Sequence, residues 1–481
     1  MSKENLEEIV EKIFKLKQNG TNVRAEIIAG ITTFMTMAYI IALNPNILAG
    51  GQEQALWNGV FLATCIASAI AMFVMAFLAN KPFGLAPGLG LNSFFAIVAA
   101  NIATMTGTTY LVGFQAALCI ILIEGIVFVI LSVLSIREKI VDAIPLGIRL
   151  GISPAIGMLL LKVGLTTSVY GAEGSWDVLN GFFGSLTPSL LKNSMEAGGG
   201  NYAEMVLTVV TLFVGLFAII ILAQKGVKAA VILGMLIACV VYWIGDLVFL
   251  GANPFASLAG ASFLPAFGDM AQTTLFKFDF NTFASIGWFT AITLVITFCI
   301  IDMFDTIGTF VGTASRANML DKDGKMPQMK EALLSDAIGT VAGSMTGTST
   351  VTTFVESSSG VEAGGRTGLT ALTTGILFLA CIFIAPVAAI IPSAATGAAL
   401  IYVGILMVGG LKKVNFDDIS QVVPVAIMLI VMPISGSIGH GIGLGMICYT
   451  VIKVFTGKAK EVSVLTYIIS VIFLVKFFLV V

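Results

Sequence analysis

Apolar positions along this chain form a series of uncharged runs, each long enough to cross a membrane as a helix. A helix needs about 20 such residues to span about 30 Å of hydrocarbon, and lipid offers no hydrogen-bond partner to an open strand edge. The pattern therefore predicts an all-α polytopic membrane protein of about 14 transmembrane segments. The runs cover residues 25–48, 57–79, 82–100, 111–135, 140–164, 203–223, 228–249, 283–313, 331–346, 347–363, 367–391, 394–411, 420–455 and 462–480. The run 420–455 is long enough to be two short helices broken around residues 436–441.

Positively charged residues concentrate in the loops on one side of these runs. They precede the first run and then occupy alternate loops, from Arg24 and Lys81 to Lys412. Because such loops remain in the cytoplasm, we expect a multi-pass protein of the plasma membrane with a cytoplasmic N-terminus. Residues 1–22 alternate apolar and charged positions at helical spacing and are predicted to form an amphipathic helix on the cytoplasmic surface. A 14-segment count leaves Lys453 on the outer side, against the same rule.

Composition agrees with this interpretation and excludes several function classes. The 481 residues are 57% hydrophobic and 11% charged, with a mean hydropathy of +1.01, whereas soluble domains are about 25% charged. The net charge of −2 provides no basic face for nucleic acid. The six cysteines lie singly in apolar runs, and no ATP-binding or hydrolytic motif is present. The sequence thus predicts neither an enzyme nor a bound metal or cofactor.

A weak internal repeat divides the chain into two halves. Ile144, Pro145 and Gly157 align with Ile391, Pro392 and Gly404 at a constant offset of 247 positions. The first copy begins on the inner side and the second on the outer side, as in transporters built from inverted repeats. Chance similarity between apolar helices is the alternative explanation.

Two runs are interrupted by glycine, proline and hydroxyl residues at matching places in the halves. The first begins with residues 82–93 and includes Pro87, and the second covers residues 343–360 and ends beyond Glu356. Pro87 removes a backbone donor, and the glycines disfavour a continuous helix. We expect each to form an extended stretch leading into a half-helix, so that two helix N-termini meet near the membrane centre. Close helix packing through small residues would give a similar composition.

Three acidic residues lie within these apolar segments. Asp302 and Asp305 share a helix face, and Glu356 follows in the second interrupted segment. A carboxylate at bilayer depth costs about 2.5–3.5 kcal/mol on insertion scales, and burial favours its neutral, protonated form. Such acids can exchange protons and accept hydrogen bonds from ring N–H groups, although a helix cap or the aqueous boundary would also explain them. Glu124 lies in the middle of another run, and the pattern leaves its orientation open.

Four separated motifs in the same order resemble one family. Residues 22–45, 82–95, 301–308 and 347–360 look like the azaguanine-permease-like branch of the nucleobase-cation symporter family, which includes bacterial adenine and guanine/hypoxanthine permeases. The resemblance implies the uracil-permease fold, with two inverted repeats of seven helices. It also implies a core domain formed by residues 23–135 and 283–391, and a gate domain formed by residues 136–250 and 392–481.

The resemblance also implies where the substrate binds. In the family, an acid in the eighth segment and one in the tenth hold the base, and these match Asp305 and Glu356. Uracil-type relatives have a histidine one turn after the first acid, whereas this chain has Thr309, which leaves proton coupling to the carboxylates. The predicted substrate-binding residues are Asn92, Phe94, Asp305, Thr353, Val355 and Glu356, and the predicted proton-coupling residues are Asp302, Asp305 and Glu356.

The resulting hypothesis is proton-coupled uptake of purine nucleobases by an elevator-type transporter. Guanine and hypoxanthine are favoured over adenine by resemblance. The expected partners are the purine, protons and the lipid bilayer, without nucleic acid, and a homodimer is left open. The alternatives are an uncoupled facilitator or channel, and an anion exchanger on the same fold.

Overall fold

A computed structural model describes residues 3–49, 51–134, 145–171, 174–316, 319 and 326–479. Within these ranges the chain is almost entirely helical, and 10 helical stretches are long and apolar enough to cross a membrane. Three shorter apolar helices, Trp288–Met303, Ile419–Ser435 and Val464–Val475, add to them. The predicted all-α polytopic fold is thereby confirmed for the described part of the chain.

The helices are numbered in chain order. In the first half they are α1 (Lys3–Phe14), α2 (Val23–Met37), α3 (Ile40–Ala49), α4 (Gln54–Val74), α5 (Leu89–Thr106), α6 (Tyr110–Val133), α7 (Leu146–Leu165), α8 (Pro188–Ala197), α9 (Tyr202–Gln224) and α10 (Ala230–Gly245). In the second half they are α11 (Phe267–Thr273), α12 (Phe280–Ser285), α13 (Trp288–Arg316), α14 (Met329–Thr346), α15 (Ser357–Glu362), α16 (Gly368–Ala380), α17 (Ala385–Ala389), α18 (Ser393–Val408), α19 (Ile419–Ser435), α20 (Ile438–Phe455) and α21 (Val464–Leu479). Short π-helical turns at Met75–Ala79, Val178–Phe183 and Asp246–Leu250 and 3₁₀ turns at Ala256–Leu258, Cys381–Ile384, Gly409–Lys413 and Ala459–Glu461 complete the helical structure.

Four short strands form two antiparallel pairs. β2 (Ser168–Gly171) and β3 (Gly174–Asp177) make a local hairpin after α7, whereas β1 (Leu85–Pro87) pairs with β4 (Val351–Thr353) from the other half of the chain. Leu85, Ala86 and Val351 belong to the largest cluster of buried apolar side chains. The pairing between the two halves therefore lies in the protein interior.

The helices that contain the predicted repeat pack directly against each other. α7 follows Pro145 and α18 follows Pro392. The two helices are antiparallel: a Cβ atom added to Gly157 would lie 2.7 Å from the carbonyl oxygen of Gly404, and one added to Gly164 would lie 2.8 Å from that of Gly397. The matched glycines thus allow their backbones to approach closely. Ile144 of the predicted repeat lies outside the described residues.

The predicted break in the run 420–455 is confirmed, and it changes the expected topology. α19 ends at Gly436, whose φ of 64° is favourable for glycine. α20 then returns antiparallel along α19, with Gly441 against Met432 and Gly445 against Met428.

The return of α20 brings its last turn back to the start of α19. Hydrogen bonds from Ser420 and Gln421 hold the pKa of Asp418 below its ordinary value, and the nearby Lys453 ammonium adds to this effect. Lys453 therefore lies at the same end of the bundle as the start of α19. The expectation that Lys453 lies on the outer side is corrected, because the run forms a helical hairpin instead of one long span.

We predict that Gly157→Ala destabilises the folded protein by about 1–3 kcal/mol, because the new methyl group overpacks the contact with α18. Thermal unfolding in detergent, followed by size-exclusion chromatography, measures the effect as a lower melting temperature. Gly409→Ala is the matched control, since a Cβ atom there has no neighbour within 4 Å. Equal melting temperatures for the two variants would contradict the close approach of α7 and α18.

Candidate functional site

The two interrupted segments meet inside the protein as the antiparallel strands β1 and β4. Leu85 lies opposite Thr353, and Pro87 lies opposite Val351. All six residues of the two strands are buried. The expectation of an extended stretch before each half-helix is therefore confirmed, and the two stretches are joined by hydrogen bonds.

Backbone hydrogen bonds continue this ladder to the helix starts. The Gly88 N–H donates to the Thr350 carbonyl at 3.0 Å, and the Phe354 N–H donates to the Gly84 carbonyl at 3.0 Å. α5 begins directly after Gly88, and the short helix α15 begins three residues after Phe354. The N-termini of two helices are thus fixed at opposite ends of one short ladder.

The local sequence explains why the helices stop here. α14 ends at Gly347, whose φ of 104° is accessible to glycine at little cost. Pro87 has no N–H to donate and sits at the last position of β1. The chain therefore leaves helical geometry on both sides of the ladder.

Glu356 lies at the start of α15 and is held by a tyrosine from the first span. The buried Tyr39 hydroxyl donates to Glu356 Oε1 at 2.7 Å. Tyr39 lies between α2 and α3, where the first span is broken, although the sequence predicts a continuous run there. Glu356 as a residue is half-buried at this position.

Two other predicted binding residues flank Glu356. Thr353 is buried, and its hydroxyl has no hydrogen-bond partner among the residues that the structure describes. Val355 is 56% exposed. The structure thus brings together a carboxylate, an unpartnered hydroxyl and an accessible apolar side chain at the end of β4.

Asn92 and Phe94 lie in the first two turns of α5. Asn92 is fully buried; its Nδ2 donates to the Pro87 carbonyl at 3.2 Å, and its Oδ1 accepts a hydrogen bond from the Ser349 hydroxyl. The Phe94 ring is buried against Phe298 of α13, with ring centroids 4.8 Å apart. These contacts fit a role in fixing the strand crossing, and direct contact with substrate stays a prediction for both residues.

A second polar cluster lies on the other side of β4. The Thr306 hydroxyl is within 3.0 Å of Asp302 Oδ1, 3.2 Å of both carboxylate oxygens of Asp336 and 2.7 Å of the Thr352 hydroxyl. All four residues are buried. The predicted acid Asp302 therefore lies beside the strand that leads to Glu356. Asp305 belongs to the same helix, α13, but its side chain is outside the described part of the structure.

Glu124 faces the helix bundle. The sequence pattern had left the orientation of this side chain open. It is fully buried and accepts a hydrogen bond from the Thr350 hydroxyl at 2.7 Å. Asn44 similarly donates to the Thr348 hydroxyl at 2.8 Å. Polar side chains from separate helices thus converge on the residues that precede β4.

Sequence reasoning missed Tyr39 and Asp336. Asp336 is an acid inside the apolar run 331–346, and the same signal that identified Asp302 could have identified it. Tyr39 lies within the first family motif, but a hydroxyl with a partner 317 positions away gives no local signal. In the part of the chain that is described, no cluster of three or more His, Cys, Asp or Glu residues is placed to hold a metal ion.

The architecture resembles a solved membrane transporter. The transmembrane domain of a cyanobacterium bicarbonate transporter, BicA, superimposes with a TM-score of 0.61 at 16% identity, covering 87% of this chain and 97% of that domain. At this identity the likeness supports the predicted fold and not a shared substrate.

Relatives with much higher identity extend over nearly the whole chain. A putative permease of Methanocaldococcus jannaschii is 39% identical, covering 97% of this chain and 98% of that protein. The adenine permease AdeP of Escherichia coli is 35% identical, with coverage of 97% and 96%. The guanine/hypoxanthine permease PbuG of Bacillus subtilis is 36% identical, with coverage of 97% and 99%.

A family model gives the same result. Residues 24–442 match the model of the permease family named for xanthine and uracil permeases. The matched range includes all but the first two residues of the four motifs, and both strands of the ladder. The chain therefore belongs to this nucleobase permease family, and it is a multi-pass membrane transport protein and not an enzyme.

Proposed function

We propose that this protein is a secondary active transporter that takes up purine nucleobases together with protons. The observation that supports it most directly is the half-buried Glu356, held by Tyr39 at the start of a half-helix beside the unpartnered hydroxyl of Thr353. Relatives named as adenine and guanine/hypoxanthine permeases are similar over nearly the full chain. The family resemblance and the geometry thus favour a purine-binding site at the same end of β4.

In this proposal the purine lies against the end of β4, at the start of α15. Glu356 accepts hydrogen bonds from ring N–H groups, Thr353 bonds a further polar atom, and Val355 packs against the ring. Asp305, predicted from family resemblance, completes the polar contacts. Hypoxanthine and guanine present an N–H next to their six-carbonyl, whereas adenine presents a bare ring nitrogen there. A carboxylate acceptor therefore favours guanine and hypoxanthine.

The proton is proposed to bind at Asp302, Thr306 and Asp336. A threonine hydroxyl donates one hydrogen, yet Thr306 lies within hydrogen-bond distance of oxygens from both carboxylates and of Thr352. Thr352 brings one further hydroxyl hydrogen, and protonation of one carboxyl adds another hydrogen-bond donor to the cluster. Thr352 belongs to β4. A change in protonation of the cluster therefore changes the hydrogen bonding of the strand that leads to Glu356.

Alternating access is proposed to follow movement of the core domain against the gate domain. At this boundary, glycines of one proposed domain contact larger side chains of the other. Gly90 of α5 packs against Ile156 of α7, and Gly439 of α20 packs against Thr297 of α13. Such contacts let helices slide without large side chains interlocking. The proposed setting is the plasma membrane, with a cytoplasmic N-terminus and a dimer as one assembly.

Anion exchange is a weaker proposal for this chain than purine uptake. An anion site at the start of α15 needs a positive charge there, and this position holds Glu356. Arg366 instead donates to the carbonyls of Val361 and Gly365. An uncoupled facilitator is the other alternative, and transport measurements distinguish it from a proton-coupled transporter.

We predict that Tyr39→Phe weakens hypoxanthine binding about tenfold, because Glu356 loses a hydrogen bond to a charged acceptor. Glu356→Gln should weaken it further, since the carboxylate itself is lost. Equilibrium binding of radiolabelled hypoxanthine to purified protein measures both. Tyr110→Phe is the control, because it removes a comparable bond, to the Leu48 carbonyl at 2.7 Å, away from the ladder. Unchanged binding by the Glu356 variant would defeat the assignment of the site.

We predict that hypoxanthine uptake is coupled to the proton gradient. In proteoliposomes with an inward proton gradient, the wild type should accumulate hypoxanthine above equilibrium and lose this ability when a protonophore is added. Asp336→Asn and Asp302→Asn should still exchange internal for external hypoxanthine but should not accumulate it, because the proton site is lost. A wild type that stops at equal concentrations and ignores the protonophore is a facilitator, and accumulation by the Asp336 variant rules out the proposed proton site.

A third prediction concerns the preferred base. Unlabelled guanine should compete with hypoxanthine uptake more strongly than adenine, and uracil should compete least. Competition measured in a host without its own purine transporters gives this order. A stronger effect of adenine would show that the site reads the amino edge of the purine instead.

A further inference from the structure

Three consecutive hydroxyl residues precede β4, and each contacts a polar side chain from a different helix. Asn44 Nδ2 donates to Thr348 at 2.8 Å, the Ser349 hydroxyl donates to Asn92, and the Thr350 hydroxyl donates to Glu124 at 2.7 Å. All six residues are fully buried. Side chains of α3, α5 and α6 therefore hold the same short piece of chain.

Glu124 is the unexpected member of this set. An ionisable side chain at bilayer depth is costly to bury, and an amide such as that of Asn44 would satisfy a hydroxyl at lower cost. Its partner Thr350 also accepts the Gly88 N–H through its carbonyl at 3.0 Å, so Thr350 joins β4 to the start of α5. Glu124 thus contacts the residue at which the two interrupted segments are tied together.

Register is the property of β4 on which both polar clusters depend. Successive side chains of a strand point to opposite faces, and a shift by one residue exchanges them. Thr352 contacts Thr306 at 2.7 Å in the acid cluster, whereas the hydroxyl of its neighbour Thr353 is buried without a partner among the described residues. A ladder of three residues per strand has few backbone hydrogen bonds to hold this register, so contacts at its ends add to them.

We propose that Glu124 is a positioning residue for substrate binding, acting through Thr350 to fix the register of β4 and hence the placement of Thr353 and Glu356. This inference rests on the proposed function, because it assumes that the purine binds at those residues. A residue with a purely structural role would alter the amount and stability of folded protein. A positioning residue alters the affinity of protein that is correctly folded.

The test compares Thr350→Val, which keeps the shape and removes the hydroxyl, with Thr350→Ser, which keeps the hydroxyl. Glu124→Gln and the double variant with Thr350→Val complete a cycle. Glu26→Gln is the matched control, because Glu26 is an equally buried glutamate whose partners are Arg366, Thr367 and Thr370. The measured quantities are KM and kcat of hypoxanthine uptake in proteoliposomes, Kd for hypoxanthine and the melting temperature.

We expect Thr350→Val to raise KM and Kd about tenfold, with kcat changed by less than about twofold, as for loss of one charge-assisted hydrogen bond. Thr350→Ser should stay near the wild type, and the double variant should be no worse than Thr350→Val alone. Glu26→Gln should lower the melting temperature and leave KM unchanged. If Glu124→Gln does not fold, the Thr350 pair still decides the matter.

The positioning role is overturned if folded Thr350→Val protein has the wild-type KM. It is also overturned if the losses of affinity in Glu124→Gln and Thr350→Val add in the double variant. An equal rise of KM in Glu26→Gln also overturns it, because the effect is then general to buried acids. A wild type that binds no purine overturns the proposed function and this inference together. Wild-type binding that requires Glu356 but is unaffected at Thr350 overturns this inference alone.

Discussion

The candidate site depends on backbone hydrogen bonds between two three-residue strands inside a membrane protein. Lipid cannot satisfy an exposed N–H or C=O, so extended chain is tolerated at that depth only where protein groups bond it. β1 and β4 meet this requirement for each other, and the Thr340 hydroxyl bonds the Val351 carbonyl at 3.1 Å. The ladder allows two helices to start in the interior and leaves Glu356 at one of those starts.

The buried acids of this chain differ in how completely they are satisfied. Glu26 accepts hydrogen bonds from the Arg366, Thr367 and Thr370 N–H groups and from the Thr370 hydroxyl, and so caps α16. Glu124 is fully enclosed beside Thr350. Glu356 is only half-buried beside Tyr39. Burial alone therefore does not separate the acid that caps a helix from the acid proposed to bind the purine.

Local sequence features predicted those parts of the structure that have local causes. Apolar run length gave the spans, and glycine and proline located the interruptions and the break at Gly436. Contacts between distant segments were beyond this reasoning: a three-residue strand has no periodic pattern, and neither the β1–β4 pairing nor the Tyr39–Glu356 bond has a local signature. Asn92 was predicted to bind substrate from its place in a motif, and its hydrogen bonds to Pro87 and Ser349 had no local signal either.

The span of the ladder along the chain has a consequence for biosynthesis. Asn92 and Ser349 are 257 positions apart, so the ribosome synthesises β1 and the helices from α5 to α14 before β4 exists. Until then β1 lacks the strand that completes its hydrogen bonding, and non-local contacts of this kind form late. The first half therefore enters the bilayer with an unpaired strand edge, and the hydrogen bonds of that edge are completed only when β4 has been synthesised.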